Sequence, residues 1–149
     1  MSTSESTATA SASATNPAPT YIYKLIPHTT APPSPLPDAL PVSALDQSSG
    51  FLHMSTALQV PRTLTHFFTN DPRVYVARVP YAPLEKDIRW EDPKGDVCGP
   101  RAGEGMFPHI YNGFKLGKDE IESVQEWVRG EGGWEEAVKK AQDDGWFVY

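Results

Sequence analysis

Gly50-Phe51-Leu52-His53-Met54-Ser55-Thr56 is the stretch on which the reading of the fold turns. A glycine opens it, and an aromatic and aliphatic run with polar residues at alternate positions follows, the signature of a half-buried strand. The period of two puts Leu52 and Met54 on one face and Phe51, His53 and Ser55 on the other. One face is therefore built for a core, and the opposite face carries an imidazole and a hydroxyl. Thr56-Ala57-Leu58-Gln59 then fits the capping pattern that opens a helix, and Pro61 suits a first turn. Leu64, Phe67 and Phe68 supply the apolar stripe, and Asn70-Asp71-Pro72 ends it. Capping and ligand binding compete as roles for Thr56 and Gln59.

Working outward, Tyr21 to Ile26 alternates as a strand closed by Pro27, with Lys24 between Ile22 and Ile26 on one face. Such a lysine either snorkels past a sheet edge or points its cation at a ligand. Six prolines between residues 27 and 41 predict an irregular surface connection, with one helical turn at Val42 to Asp46 before the Ser48-Ser49-Gly50 break. Arg73 to Val79 reads as a central strand, Ile88 to Glu91 as a shorter one, and Phe107 to Tyr111 as extended; Lys94 to Gly105 reads as a mobile loop. The window from Ile121 to Val128 fits a helical period, with Gly130 as its stop, yet it is short enough to be a strand. Trp134, Ala137, Val138 and Ala141 mark a final helix.

The 149 residues suffice for one domain with a hydrophobic core. Residues 1–20 hold a single charge, Glu5, among Ser, Thr, Ala and Pro, and are expected to be a disordered tail preceding a single domain at 21–149. Thirteen Lys and Arg against 19 Asp and Glu give a net charge of −6, without the basic cluster a nucleic-acid partner requires. No run approaches the roughly 18 apolar residues of a membrane span. The lone Cys98 excludes an internal disulfide. A soluble, cytoplasmic protein with a small-molecule ligand is expected. Pro32-Pro33-Ser34-Pro35 also offers a short P-x-x-P arrangement, so a weak protein contact through residues 32–41 is a third possibility.

Chemistry concentrates in two clusters. His53, Ser55, Thr56 and Gln59 offer hydrogen bonds to a polar ligand, and His109 and Tyr111 share one side of an extended Phe107-Pro108-His109-Ile110-Tyr111. Each has a plain structural alternative, a core histidine or an aromatic edge. Glu91, next to Trp90, is the acid best suited to proton transfer. Zinc-ligand spacing is missing, so no metal is expected. Ser55 lacks the nucleophile-elbow sequence of a serine hydrolase.

Tyr21-Ile22-Tyr23-Lys24, Gly-Phe-Leu-His-Met-Ser-Thr at 50–56 with Gln59, Trp90-Glu91, and Phe-Pro-His-Ile-Tyr at 107–111 occur in an order and spacing that resemble the domain of unknown function 952 family, in its fungal type. The resemblance covers about residues 21–129, with a C-terminal helical extension from about 131. It implies an α+β fold, a compact, curved and split antiparallel β core with packed helices, similar to the ADP-ribosyltransferases. It also implies a strand at about 122–129. By the same resemblance NAD would lie as substrate between two half-sheets, with Lys24, His53, Ser55, Thr56, Gln59, His109 and Tyr111 holding it. Glu91 and His53 would be catalytic. An NAD-cleaving or ADP-ribosyl-transferring enzyme and a non-catalytic nucleotide-binding module both fit these residues.

Overall fold

The computed structural model describes residues 17–149. Six strands form two antiparallel three-stranded sheets. The first contains β1 (Tyr21–Pro27), β3 (Arg73–Pro80) and β6 (Ser123–Val128), with β3 in the middle. The second contains β2 (Leu52–His53), β4 (Ile88–Glu91) and β5 (Phe107–Ile110), with β5 in the middle. Helices α1 (Ala44–Ser49), α2 (Val60–Phe67) and α3 (Glu135–Asp143) lie between and after the strands in sequence. The sheets meet just past β2. Tyr23 N–H donates to Ser55 O at 2.8 Å, and Ser55 N–H returns a bond to Tyr23 O at 3.0 Å. The chain that leaves β2 thus ties the small sheet to the large one.

Alternation explains why the large sheet is buried on both faces. From β1 and β3, Ile22, Ile26, Ala77 and Val79 join Leu52, Met54, Trp90 and Ile110 in a core between the sheets. Tyr23, Val74 and Val76 face the other way, onto Val60 and Leu64 of α2, Val138 and Ala141 of α3, and Trp127 and Phe147. Central strands covered on both sides need apolar residues at nearly every position, and β3 supplies them.

The ambiguous 121–128 window is a strand. β6 pairs with β3 from Arg73↔Val128 to Arg78↔Ser123, satisfying an edge that a helix would leave open. Helix α1 is longer than the single turn expected at 42–46. Ser43 Oγ accepts from Asp46 N–H at 3.1 Å at its start, and Gly50, at φ 85°, closes it in the left-handed region. Ser48 and Ser49, read as a break, are its last turn. The expected tail lies outside the described residues as far as position 16; Thr20 is already part of the fold, its carbonyl accepting from Tyr81 N–H at 3.0 Å. The proline-rich connection is docked at its far end, where Leu40 N–H donates to Leu116 O at 2.8 Å and Lys118 N–H to Pro37 O at 2.9 Å. Among the described residues no helix is long and apolar enough to cross a membrane.

The C-terminal residues close the outer core. The Tyr23 hydroxyl donates to Val148 O at 2.7 Å and accepts from Val148 N–H at 3.0 Å, while the Phe147 ring packs edge-on at 4.9 Å. Replacing Tyr23 with Phe leaves both backbone groups of Val148 without that partner. The expected cost is about 1–3 kcal/mol, read as a lower urea midpoint; an unchanged midpoint would contradict this role of the C-terminal clasp.

Candidate functional site

The small sheet has one face in the core and one face of chemistry. Its register aligns Leu52, Ile110 and Ile88 across the strands on the core side. The next row, on the opposite face, aligns His53 of β2, His109 of β5 and Arg89 of β4. The two imidazole centroids lie 5.1 Å apart at an interplanar angle of 62°. Phe51 stacks on the His109 ring at 4.2 Å and touches that of His53 at 4.6 Å. His109 is 1 % exposed, whereas His53 is only half-buried.

Each ring is anchored at Nδ1 by a buried carboxylate. Asp46 Oδ1 lies 2.6 Å from His53 Nδ1 and accepts the His53 backbone N–H at 3.1 Å. Its Oδ2 pairs with Lys24 Nζ at 2.5 Å, and that ammonium also donates to His53 O at 2.9 Å. The α1 turn capped by Ser43 fixes where Asp46 stands. Burial opposes ionisation of Asp46, but the bonds from His53 and Lys24 together prevail and hold its carboxyl below the ordinary range. Burial pulls the Lys24 ammonium below its own range, with Asp46 opposing. The two directions describe a single buried ion pair, each partner favouring the charged form of the other against the cost of burial.

Glu91 Oε1 plays the same part for the second ring, 2.9 Å from His109 Nδ1 and accepting from the Tyr111 hydroxyl at 2.6 Å. Glu91 is itself buried, with Cys98 Sγ 3.8 Å from its other oxygen. Desolvation lowers the pKa of His109, the Glu91 bond opposes this, and the neighbouring His53 lowers it further. Burial and the bond to Glu91 push the Tyr111 phenol up to about 12, so it stays a donor. The Arg89 guanidinium lies 4.6 Å above the Tyr111 ring.

A carboxylate on Nδ1 fixes the tautomer and leaves Nε2 as the working atom of a neutral imidazole. Among the described residues neither Nε2 has a hydrogen-bond partner. Nor is the His109 Nε2 one of the fully enclosed unpaired atoms, so it keeps a sliver of solvent contact. Two such atoms on touching rings can accept hydrogen bonds from a vicinal diol, or one can take a proton while the other holds the ligand. Among the described residues no group of three or more His, Cys, Asp or Glu is arranged to hold a metal ion.

Of the residues singled out in the sequence, Lys24, His53, Glu91, His109 and Tyr111 converge. Among the described residues, Ser55, Thr56 and Gln59 share no hydrogen bond with them. The Ser55 backbone joins the two sheets. Gln59 is fully engaged elsewhere, its Oε1 accepting from Thr56 N–H at 3.0 Å and its Nε2 donating to Met106 O at 2.7 Å. Only the glutamine half of the capping pattern forms, since α2 begins at Val60 with Gln59 itself as N-cap and no side-chain cap bond. Glu91 Oε1 is taken up by His109 and Tyr111, so its carboxylate orients those groups. Asp46 is the functional residue that sequence reasoning missed. Its position three residues after Ser43 signals a helix start, and nothing local marks its partners, 7 and 22 residues away.

Stability should therefore fall as the medium is acidified. Because the folded-state pKa of His109 is depressed, the unfolded chain binds the proton first, and stability is lost as pH drops below the ordinary imidazole value of about 6.5. Asp46, also depressed, stabilises fully above its ordinary value of about 4, and that contribution disappears as pH falls through its folded pKa. The unfolding temperature should decline from pH ~6.5 downward, with a shallower slope in His109→Gln; equal slopes would contradict the assignment. At neutral pH, Asp46→Asn should cost about 3–5 kcal/mol by leaving the Lys24 ammonium buried without its counter-ion.

The sequence model of the family described as Protein of unknown function (DUF952) matches residues 36–124. A search of the curated proteins gave no match. The crystal structure of Protein CC0527 from Caulobacter crescentus superimposes with a TM-score of 0.60 at 22 % identity, over 80 % of this chain and 99 % of that one. The solution NMR structure of CC0527 gives 0.52 at 25 % identity, over 76 % and 90 %. These likenesses support the α+β fold with antiparallel sheets. The family match spans more than half of the sequence and takes in His53, Glu91, His109 and Tyr111, so this chain belongs to the DUF952 family.

Proposed function

We propose that the His53–His109 face binds a nucleotide of the NAD and ADP-ribose class and cleaves the bond between nicotinamide and ribose. The observation that carries this reading is the pair of unpartnered Nε2 atoms on rings 5.1 Å apart, each ring tethered to a buried carboxylate. The division of the β core into two three-stranded sheets supports it too, because an ADP-ribosyltransferase-like fold is split in this way. His53, nearer to solvent, accepts bonds from the ribose hydroxyls. In the transition state positive charge builds at the ribose anomeric carbon. Asp46 and Glu91, placed behind the imidazoles, favour that charge and make each ring a better acceptor. The electron pair of the C–N bond leaves with nicotinamide. The acceptor's lone pair forms the new bond at the anomeric carbon, and the acceptor's proton passes to an imidazole Nε2. Glu91 and Asp46 act through the rings as positioning residues.

Incubating the full chain with NAD should release nicotinamide, measured by chromatography. His53→Ala should abolish release, and Glu91→Gln should reduce it by about 10–100-fold, the loss typical of removing a residue that orients a working histidine. Absence of release from the wild type, or full release from His53→Ala, would refute the enzyme reading. One observation favours a second reading, recognition of the nucleotide without chemistry: Phe51 stacks over a His109 that is almost wholly enclosed. In that case ADP-ribose at 100 times its dissociation constant would stabilise the wild type by about 2.7 kcal/mol with no nicotinamide formed.

A further inference from the structure

We infer that Arg89 extends the histidine pair into an anion-binding face that grips the diphosphate group of the ligand. This rests on the nucleotide reading above for the identity of the ligand, though not for the presence of an anion site. Register supplies the first argument. Arg89, His109 and His53 are cross-strand neighbours in one row of the small sheet, so their side chains emerge from the same face.

Charge supplies the second. The chain carries six more acidic than basic residues, and most of its surface cations are paired with them. Arg78, Arg101, Lys115, Lys118, Lys139 and Lys140 all sit within ion-pair distance of a carboxylate. Arg89 is exposed, and among the described residues no carboxylate pairs with it. Its nearest acid in the strand, Glu91, is closed off by Tyr111 and His109.

Shape supplies the third. The Arg89 guanidinium carbon lies 4.6 Å from the centroid of the Tyr111 ring, whose hydroxyl is fixed by Glu91. A guanidinium held over a ring face keeps its N–H groups for other partners, and that contact reduces the ordering a two-point bond to a phosphate requires. Were Arg89 only a cover for the Tyr111 ring, any long side chain would serve, and anion affinity would not depend on the fork.

The charges around the site leave room for an anion. Asp46 is balanced by Lys24 and Glu91 sits behind two donors, while Asp92, whose charge also reaches His109, has one oxygen engaged by the Asp96 and Val97 backbone N–H groups; Arg89 is the cation in the row with the two imidazoles. A diphosphate placed across Arg89 with its attached ribose over His53 uses all three.

The test titrates inorganic pyrophosphate, ADP-ribose and nicotinamide riboside into the full chain and its Arg89→Gln variant by calorimetry. Arg89 is exposed, so the variant should fold, and its circular dichroism and unfolding temperature should match wild type. Pyrophosphate and ADP-ribose should bind the wild type and weaken at least about tenfold in Arg89→Gln, while the nicotinamide riboside control, which carries no phosphate, should be unaffected. Arg89→Lys should recover only part of the loss, because charge returns without the fork. Equal affinity of wild type and Arg89→Gln for pyrophosphate, or no pyrophosphate binding by the wild type, would overturn the inference. Arg89-dependent pyrophosphate binding without any ADP-ribose binding would uphold the anion site and reject the nucleotide reading. ADP-ribose binding that ignores Arg89 would do the reverse.

Discussion

Asp46 and Glu91 are carboxylates taken out of water, and much of the local architecture can be read as the means of satisfying them. An isolated buried carboxylate is too costly to keep, so donors must come from several elements at once. Asp46 draws on Lys24 from β1, on the His53 backbone and ring from β2, and on the turn of α1 that presents it. Glu91 draws on His109 at the end of β5 and on Tyr111 just beyond. Between them the two acids connect the large sheet, the small sheet and α1. They also orient the histidines, so what stabilises this corner of the fold and what shapes its chemistry are the same bonds.

The consequence is a polar row on an otherwise apolar scaffold. β2 and β5 bury Leu52 and Ile110 in the core while turning His53 and His109 the other way. Because both strands alternate, neither histidine can leave the row without turning an aliphatic residue out of the core. Phe51 then lies against both imidazoles, lowering the local dielectric and strengthening each imidazole–carboxylate bond. Such a site is tied down at its Nδ1 edge and leaves Nε2 unpaired.

Much of this was legible in the sequence, and the exceptions have physical causes. Period-two alternation gave the faces of β1, β2 and β5 correctly, because successive side chains of a strand point to opposite faces whatever covers them. The 121–128 window fits a helical period and only the family resemblance pointed to a strand; the open edge of β3, a tertiary demand, is what the strand satisfies. Gln59 shows the limit of residue type: an amide that can bind a ligand can equally close a helix start, and here backbone groups of Thr56 and Met106 take both its ends. Asp46 could not be found, since its partners lie on separate strands and its own turn was read as ending where α1 in fact continues. Arg89 was passed over because a charged residue on a short strand resembles any solvated edge until register sets it beside His109.

The central claim is that both imidazoles are held at Nδ1 and free at Nε2, and long-range nitrogen–proton correlation NMR on histidine-labelled protein measures this directly. At about pH 8, where free imidazole is neutral, His53 and His109 should each carry the proton on Nδ1 with a bare Nε2. A proton on Nε2 with a bare Nδ1 in either ring would contradict the account.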